Sequence, residues 1–388
     1  MGIVAGFFII FARRNFHIRK RNTITTVDMT QGNIYLDNII FSLQKTGGIS
    51  IVWYELLNHF MHTAWREKLR FLEYDQAENN LFRKHLDLPE GQIIRRKHAF
   101  MPLQRYFNPN VSCKEKFLFH SSYYRTCPNH KAINITTVHD FTYEHFMHGI
   151  TRRLHSYQKY NAIRHATHIV CVSGHTKKDL LHFMPEIDPD SISVIYNGVS
   201  KEYHRLPTPS SETLPYADSP YVLFVGSRVS YKNFKLTVRA LRDTGLKLII
   251  VGNPLTPEET NMLNEQLGGQ YTQVGRISNK QLNELYNSAY CLLYPSSYEG
   301  FGIPVLEAQK AGCPVIASNS SSIPEIIGDK TLLLKEPSVD EIHRCLSLLR
   351  NPSIRDTIIQ KGMKNAERFT WAHTFAQIEK LYAQFIEL

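Results

Sequence analysis

Short apolar runs alternate with helix-period stretches through the second half of the chain. Residues 221–225, 246–251, 270–274, 291–294 and 314–317 read as strands, and residues 234–242, 258–267, 279–289 and 304–311 as helices. Continuously apolar strands separated by helices predict a parallel sheet covered on both faces. The first half repeats the pattern less regularly. An apolar run at residues 34–40 is broken at Gly47-Gly48 and followed by a helix-period stretch at 49–61. Strand-like runs then recur at 117–120, 133–138, 169–172 and 192–195, with a helical pattern at 176–183. Between Asn197 and Asp218 the composition shifts to Pro207, Pro209, Ser210, Ser211 and Pro215, which marks a domain boundary. The expected fold class is α/β, with two doubly wound parallel-sheet domains facing across a cleft. Their expected limits are 33–200 and 201–370, with 1–32 an extension and 371–388 a closing helix. Ligands of such sheets bind at the carboxyl ends of the strands.

Length and charge sharpen this reading. The chain has 388 residues, 43% hydrophobic and 21% charged, enough for two domains with cores of their own. A formal net charge of +10 favours a polyanionic partner: nucleic acid, an anionic membrane surface or a phosphate-rich substrate. The six cysteines form no C-x-x-C pair, which argues against zinc and disulfide frameworks and for a reducing, cytoplasmic setting. Residues 2–12 are apolar and Arg13, Arg14, Arg19, Lys20 and Arg21 follow them, the reverse of a secretory signal. As a helix this run reaches roughly 16 Å, about half a bilayer core. Two readings stand: a short membrane-touching anchor, or a dispensable leader ahead of Met29.

The chemistry concentrates after the strand at 291–294. Gly300 and Gly302 let backbone N–H groups approach a ligand, and Pro304 suits the first turn of the helix that follows. That helix start favours an anion. Glu299 and Glu307 flank it with carboxylates suited to sugar and ribose hydroxyls. After the strand at 221–225 come Gly226 at a turn, then Arg228 and Lys232, two cations that can hold a diphosphate. Gly47-Gly48 lacks the spacing of a P-loop. Asp188-Pro-Asp190 imitates a D-x-D metal motif but sits in a turn, so no metal site is expected. Two basic, aromatic stretches lie in the first half. They are Arg95-Arg96-Lys97-His98 and Arg152-Arg153-Leu154-His155, with Phe100, Tyr106, Phe107, Tyr157 and Tyr160 nearby. They read as solvated helix faces or as a dock for an anionic membrane or lipid diphosphate. No nucleic-acid motif accompanies them.

The E-x7-E pair within Tyr294-Pro-Ser-Ser-Tyr-Glu-Gly-Phe-Gly-Ile-Pro-Val-Leu-Glu-Ala resembles the donor motif of family 4 (group 1) retaining glycosyltransferases. Phe224-Val-Gly-Ser-Arg-Val-Ser-Tyr-Lys-Asn-Phe resembles the family's second ordered motif. The likeness covers about residues 33–388. It implies the GT-B fold, two Rossmann-like domains, and sugar transfer from a nucleoside diphosphate sugar to a glycan or lipid-linked glycan without a metal or other cofactor. By the same resemblance Arg228 and Lys232 grip the pyrophosphate, Glu299 holds the sugar, Glu307 holds the ribose, and Gly300, Phe301 and Gly302 orient the donor. Gly47-Gly48 matches the first-domain glycine loop, His139 of Thr137-Val-His-Asp faces the sugar, and Arg276 of Val274-Gly-Arg-Ile lies near the base. Phe119-His-Ser-Ser-Tyr-Tyr-Arg resembles a subgroup motif in which His120 has no assigned role. Two rivals share these features: a nucleotide-sugar epimerase of similar fold, and a non-catalytic glycan- or membrane-binding protein.

Overall fold

The computed structural model describes residues 34–97, 100–207 and 219–386. The apolar run at 2–12 with the basic residues behind it, and residues 208–218 of the boundary stretch, lie outside these residues. The first half builds a seven-stranded, wholly parallel sheet in the order β3-β2-β1-β4-β5-β6-β7. Its strands are β1 (Ile34–Asp37), β2 (Leu69–Tyr74), β3 (Ile93–Arg96), β4 (Phe117–Ser121), β5 (Ala132–Val138), β6 (His168–Cys171) and β7 (Ile192–Val194). The second half builds a six-stranded parallel sheet in the order β10-β9-β8-β11-β12-β13. These strands are β8 (Tyr221–Val225), β9 (Lys247–Val251), β10 (Tyr271–Val274), β11 (Cys291–Tyr294), β12 (Val315–Ser318) and β13 (Leu333–Leu334). The fold is therefore two doubly wound α/β sheets. In each, strand order reverses next to the first strand, between β1 and β4 and between β8 and β11. These two crevices are where such sheets bind ligands.

Two sequence readings are corrected. The apolar run at 34–40 is not one strand. β1 stops at Asp37, the chain turns at Asn38, and Ile39–Leu43 is a short helix. The turn is fixed by buried polar bonds that override the apolar pattern. Asn38 donates to Glu73 at 2.7 Å and accepts from the Trp53 indole N–H at 2.7 Å, while Arg125 clamps the fully buried Asp37. β2 and β3 went unread because charge interrupts them. In β2, Glu73 is buried against Arg83, and in β3 Arg95 and Arg96 decorate an edge strand rather than a helix face.

The last helix, Trp371–Tyr382, belongs to the first half's core. Phe375, Ile378, Leu381 and Tyr382 pack with Ile34, Leu36, Trp53 and Phe60. His120 is spent here: its ring nitrogens meet Tyr382 Oη at 2.5 Å and Thr137 Oγ1 at 2.9 Å, and burial pushes its pKa down to about 3. A residue at the mouth of the first crevice thus ties the C-terminal helix to β4.

Candidate functional site

β8 and β11 are neighbours, so the loops leaving their carboxyl ends meet. After β8, Gly226 turns the chain (φ 115°) into the segment carrying Arg228 and Lys232. Lys232 ends a short 3₁₀ turn, Ser230–Lys232, that swings its ammonium onto Glu299 from the β11 loop. It also bonds Tyr294 Oη at 3.2 Å. Both members of the pair are largely buried, so attraction between them is little screened by solvent. Arg228 lies with other partners. Its Nε meets Glu259 at 2.8 Å and its two terminal nitrogens meet the carbonyls of Asn253 and Pro254 at 3.0 and 2.7 Å. The two cations therefore answer to different carboxylates. Burial alone would raise the pKa of Glu259, but the Arg228 and Thr256 hydrogen bonds bring it below the usual range.

The β11 loop is held rigidly by a serine run that the sequence reading passed over. Ser321 Oγ accepts from the Glu299 N–H at 2.8 Å, and Ser322 Oγ donates to the carbonyls of Glu299 and Phe301 at 2.9 and 2.8 Å. Gly302 caps the helix Ile303–Lys310 with φ 104°, a left-handed conformation that a side chain would strain. Phe301 is buried in the second core. One helical turn on, Glu307 accepts from Tyr286 Oη at 3.2 Å. Burial raises its pKa to about 7, the Tyr286 and Tyr203 hydroxyls acting the other way. Arg276 stays near the exposed rim, with one contact to Asn253 Oδ1 at 3.4 Å.

From the opposite half, His139 follows β5 and reaches the same loop. A Cβ on Gly300 would lie 1.9 Å from the His139 carbonyl oxygen and 2.9 Å from the Asp140 Cβ. The two halves therefore touch backbone to backbone beside Glu299. Burial pushes the His139 pKa down to about 4, so the imidazole is neutral at pH 7. Asp140 was not singled out in the sequence. Burial opposes its ionisation, but Lys159 and the Thr142 N–H more than offset this and hold its pKa below the ordinary value. Lys159 is itself fully buried, donating to the Asp140 carbonyl at 2.8 Å and to Glu144 at 2.7 Å. An anionic carboxylate thus stands across from Glu299.

More bonds join the halves around this point. Tyr298 Oη donates to Asp179 at 2.6 Å and accepts from the Phe141 N–H at 2.9 Å. Thr176 Oγ1 donates to the Gly300 carbonyl at 3.2 Å. Glu325 accepts from the N–H groups of Gly174 and His175, both at 3.0 Å, at the start of the helix Gly174–Phe183. None of these pairs could be read from sequence, since the partners stand more than a hundred residues apart.

The other sequence candidates fall outside this cluster. Gly47 is extended (φ 170°) and caps the helix Gly48–Phe60, where Ser50 Oγ donates to its carbonyl. Past that helix start, Ile49 and Trp53 line a small cavity of about 40 Å³ together with His120, His139 and Asn197. Gly47-Gly48 thus flanks the first crevice rather than the Lys232–Glu299 pair. Asp188 is occupied in capping its own turn, accepting from the Asp190 N–H at 3.0 Å.

Comparison with known proteins bears on the fold and the family. Residues 209–365 match the family described as glycosyl transferases group 1, and residues 46–203 match glycosyltransferase family 4. The O-antigen chain mannosyltransferase B of Escherichia coli is 27% identical over 267 residues, covering 64% of this chain and 69% of that protein. An Anabaena HepE crystal structure in complex with UDP and glucose superposes with a TM-score of 0.68 at 16% identity, covering 90% of this chain and 99% of that one. The sucrose-phosphate synthase of Thermosynechococcus elongatus superposes at 0.72 with 17% identity, covering 91% and 99%. With both sheets in the GT-B arrangement and both halves matched in order, the chain belongs to the group 1 glycosyltransferases.

Proposed function

We propose that this enzyme transfers a hexose, with retention and without a metal ion, from a nucleoside diphosphate sugar to a glycan or lipid-linked glycan. It would act at the cytoplasmic face of a membrane in polysaccharide assembly. The observation that carries the reading is the Lys232–Glu299 pair at the β8/β11 switch point, closed over by the His139–Asp140 segment. The E. coli relative is named a mannosyltransferase and HepE was solved with UDP and glucose, so GDP-mannose and UDP-glucose are the first donors to test.

In this reading the donor's diphosphate takes Lys232 from Glu299, which frees the Glu299 carboxylate to accept from sugar hydroxyls. Arg228, braced by Glu259, adds a second fixed cation through the donors it has left. Gly300, Phe301 and Gly302 present backbone to the sugar, Glu307 takes the ribose hydroxyls, and Arg276 lies toward the base. Gly226 sets the turn that brings the cations in, and Gly47-Gly48 borders the acceptor side. As the bond from the anomeric carbon to the phosphate oxygen breaks, the acceptor oxygen bonds that carbon on the same face. Its proton passes to the departing phosphate. Glu299 is thus a positioning carboxylate and not the nucleophile of a glycosidase-type mechanism.

The test is nucleotide release against a panel of nucleoside diphosphate sugars, with and without glycan acceptors, and anomeric NMR of the product. The expected result is a glycoside of unchanged anomeric configuration, with turnover insensitive to chelator. Acceptor-independent conversion of one nucleotide sugar into another would instead make the protein an epimerase. Glycan binding with no nucleotide released would make it a binding protein.

Glu307 supplies a pH test. A ribose hydroxyl donates to a carboxylate better than to a carboxylic acid, so donor binding favours the ionised form of a group that titrates at about 7 when free. Donor affinity is expected to rise with pH through that value, with release of up to about one proton per donor bound below it. Calorimetry in two buffers of different ionisation enthalpy reads the proton count, and Glu307→Gln should flatten the profile. Proton uptake on binding would contradict the assignment.

A further inference from the structure

Among the described residues, eight large apolar side chains are well exposed, and six of them fall in two short segments of the first half. Phe100, Leu103 and Phe107 lie just before, in and just after the turn Met101–Gln104, and Met147, Ile150 and Tyr157 just before and along the helix Gly149–Arg164. Ile150 and Tyr157 are 72% and 71% exposed, and it is the clustering of such side chains, not any one of them, that marks an interaction site. The segments are neighbours: Gln158 Nε2 of the helix donates to the Arg105 carbonyl at 2.7 Å. Along the helix, Ile150, Leu154 and Tyr157 recur at i, i+4 and i+7 and so share a face.

Cations dominate the two segments that carry these side chains. Residues 95–114 and 145–178 contain no aspartate or glutamate. Arg95 and Arg164 are already paired, with Glu90 and Glu186. Lys97, Arg152 and Arg153 enter no ion pair among the described residues. Apolar side chains standing out from a cationic field match the interface of an anionic bilayer, where rings and aliphatic chains enter the headgroup boundary and cations stay at its surface. A polyanion such as RNA would be met by the charge but offers nothing to Ile150 or Met147. No helix among the described residues is long and apolar enough to cross a membrane.

We propose that this face docks the enzyme on anionic lipid, with Phe100, Leu103, Phe107, Ile150 and Tyr157 entering the headgroup layer and Lys97, Arg152 and Arg153 contacting lipid phosphates. Behind the face, Tyr123 and Tyr143 both contact His155 of the same helix, and Tyr143 lies four residues from His139. A lipid-borne acceptor held in the bilayer is thereby brought toward the cleft.

The experiment is co-sedimentation of the full chain, without donor, with vesicles of phosphatidylcholine alone or mixed with phosphatidylglycerol. Binding is expected only to the mixed vesicles. Each cation near such a surface contributes about fivefold, so Arg152→Gln with Arg153→Gln should weaken binding about thirtyfold. Ile150→Ser with Tyr157→Ser should weaken it further at unchanged charge and leave nucleotide release in solution as in the wild type. Equal binding to neutral vesicles would overturn the charge argument. Unaltered binding by the serine variant, or tighter binding to an RNA oligonucleotide than to mixed vesicles, would overturn the docking face. The readout uses no donor, so its failure and a failure of the transfer reading are told apart.

Discussion

Replacing Lys232 by alanine is expected to lower the rate of sugar transfer by about 10²- to 10³-fold, the loss typical of removing one preorganised group from a site of developing charge. The cation is built for that task. It is largely buried, anchored at the end of a 3₁₀ turn, and held between Glu299 and the Tyr294 hydroxyl where two loops converge. In the resting protein its charge is matched by Glu299. In the proposed reaction the leaving diphosphate gathers negative charge in the transition state, so the ammonium's interaction would grow while Glu299 turns to the sugar. An interaction that strengthens along the reaction lowers kcat more than it raises KM. Truncation also leaves the Glu299 charge without its cation in a largely buried site, costing about 1–3 kcal/mol of stability. Lys232→Ala should therefore be compared with Lys232→Ala/Glu299→Gln, which removes the orphaned charge. A double variant restored in melting temperature assigns the stability loss to the orphaned charge, and the diphosphate role is then read from the activity of the folded Lys232→Ala protein. Turnover within about fivefold of wild type in a folded Lys232→Ala protein would eliminate it.

How much of this was legible in the sequence differs between the halves for a physical reason. Apart from the half-buried edge strand β10, the second sheet's strands are buried on both faces and punctuated by capped helices. Thr256 with Glu259, and Ser278 with Gln281, form capping boxes that mark helix starts in plain text. The first sheet hides charge inside it. Asp37 with Arg125, and Glu73 with Arg83, are paired below the surface, so the apolar rhythm breaks where the structure continues. The same holds at the site. Glu299, Glu307 and Lys232 announce themselves by spacing within one half. Tyr298 and Glu325 act through partners in the opposite half, and sequence spacing has no means of showing a contact that only the closed cleft creates. Asp140 and Lys159 meet within the first half, where a loop and a helix bring them together. His120, which stood in a recognisable motif, turned out to face Tyr382 of the last helix.

Gly300→Ala tests that closed cleft directly. Gly300 does not adopt a left-handed φ, so alanine meets no backbone penalty there and the only cost is the space its methyl group needs. That space is taken by the His139 carbonyl oxygen, 1.9 Å from where the Cβ would stand, against an ordinary contact distance of at least 3.4 Å. The two segments must part by about 1.5 Å, and neither atom belongs to a flexible side chain that could swing aside. Displacement of that size between reacting groups costs about 10²-fold in rate. The bonds from Thr176 to the Gly300 carbonyl and from Tyr298 to the Phe141 N–H should lengthen with it. The proposed nucleotide contacts all lie in the second half, so a thermal shift with the donor's nucleotide should persist in the variant while transfer falls about a hundredfold. Hydrogen exchange at Phe141 and Thr142 should rise at the same time. Gly91→Ala, at a glycine with open space around its Cβ position and no left-handed φ, is the neutral control. Wild-type transfer by Gly300→Ala would mean that catalysis proceeds with the halves further apart than they stand here, and His139 and Asp140 would then lose their place beside the sugar.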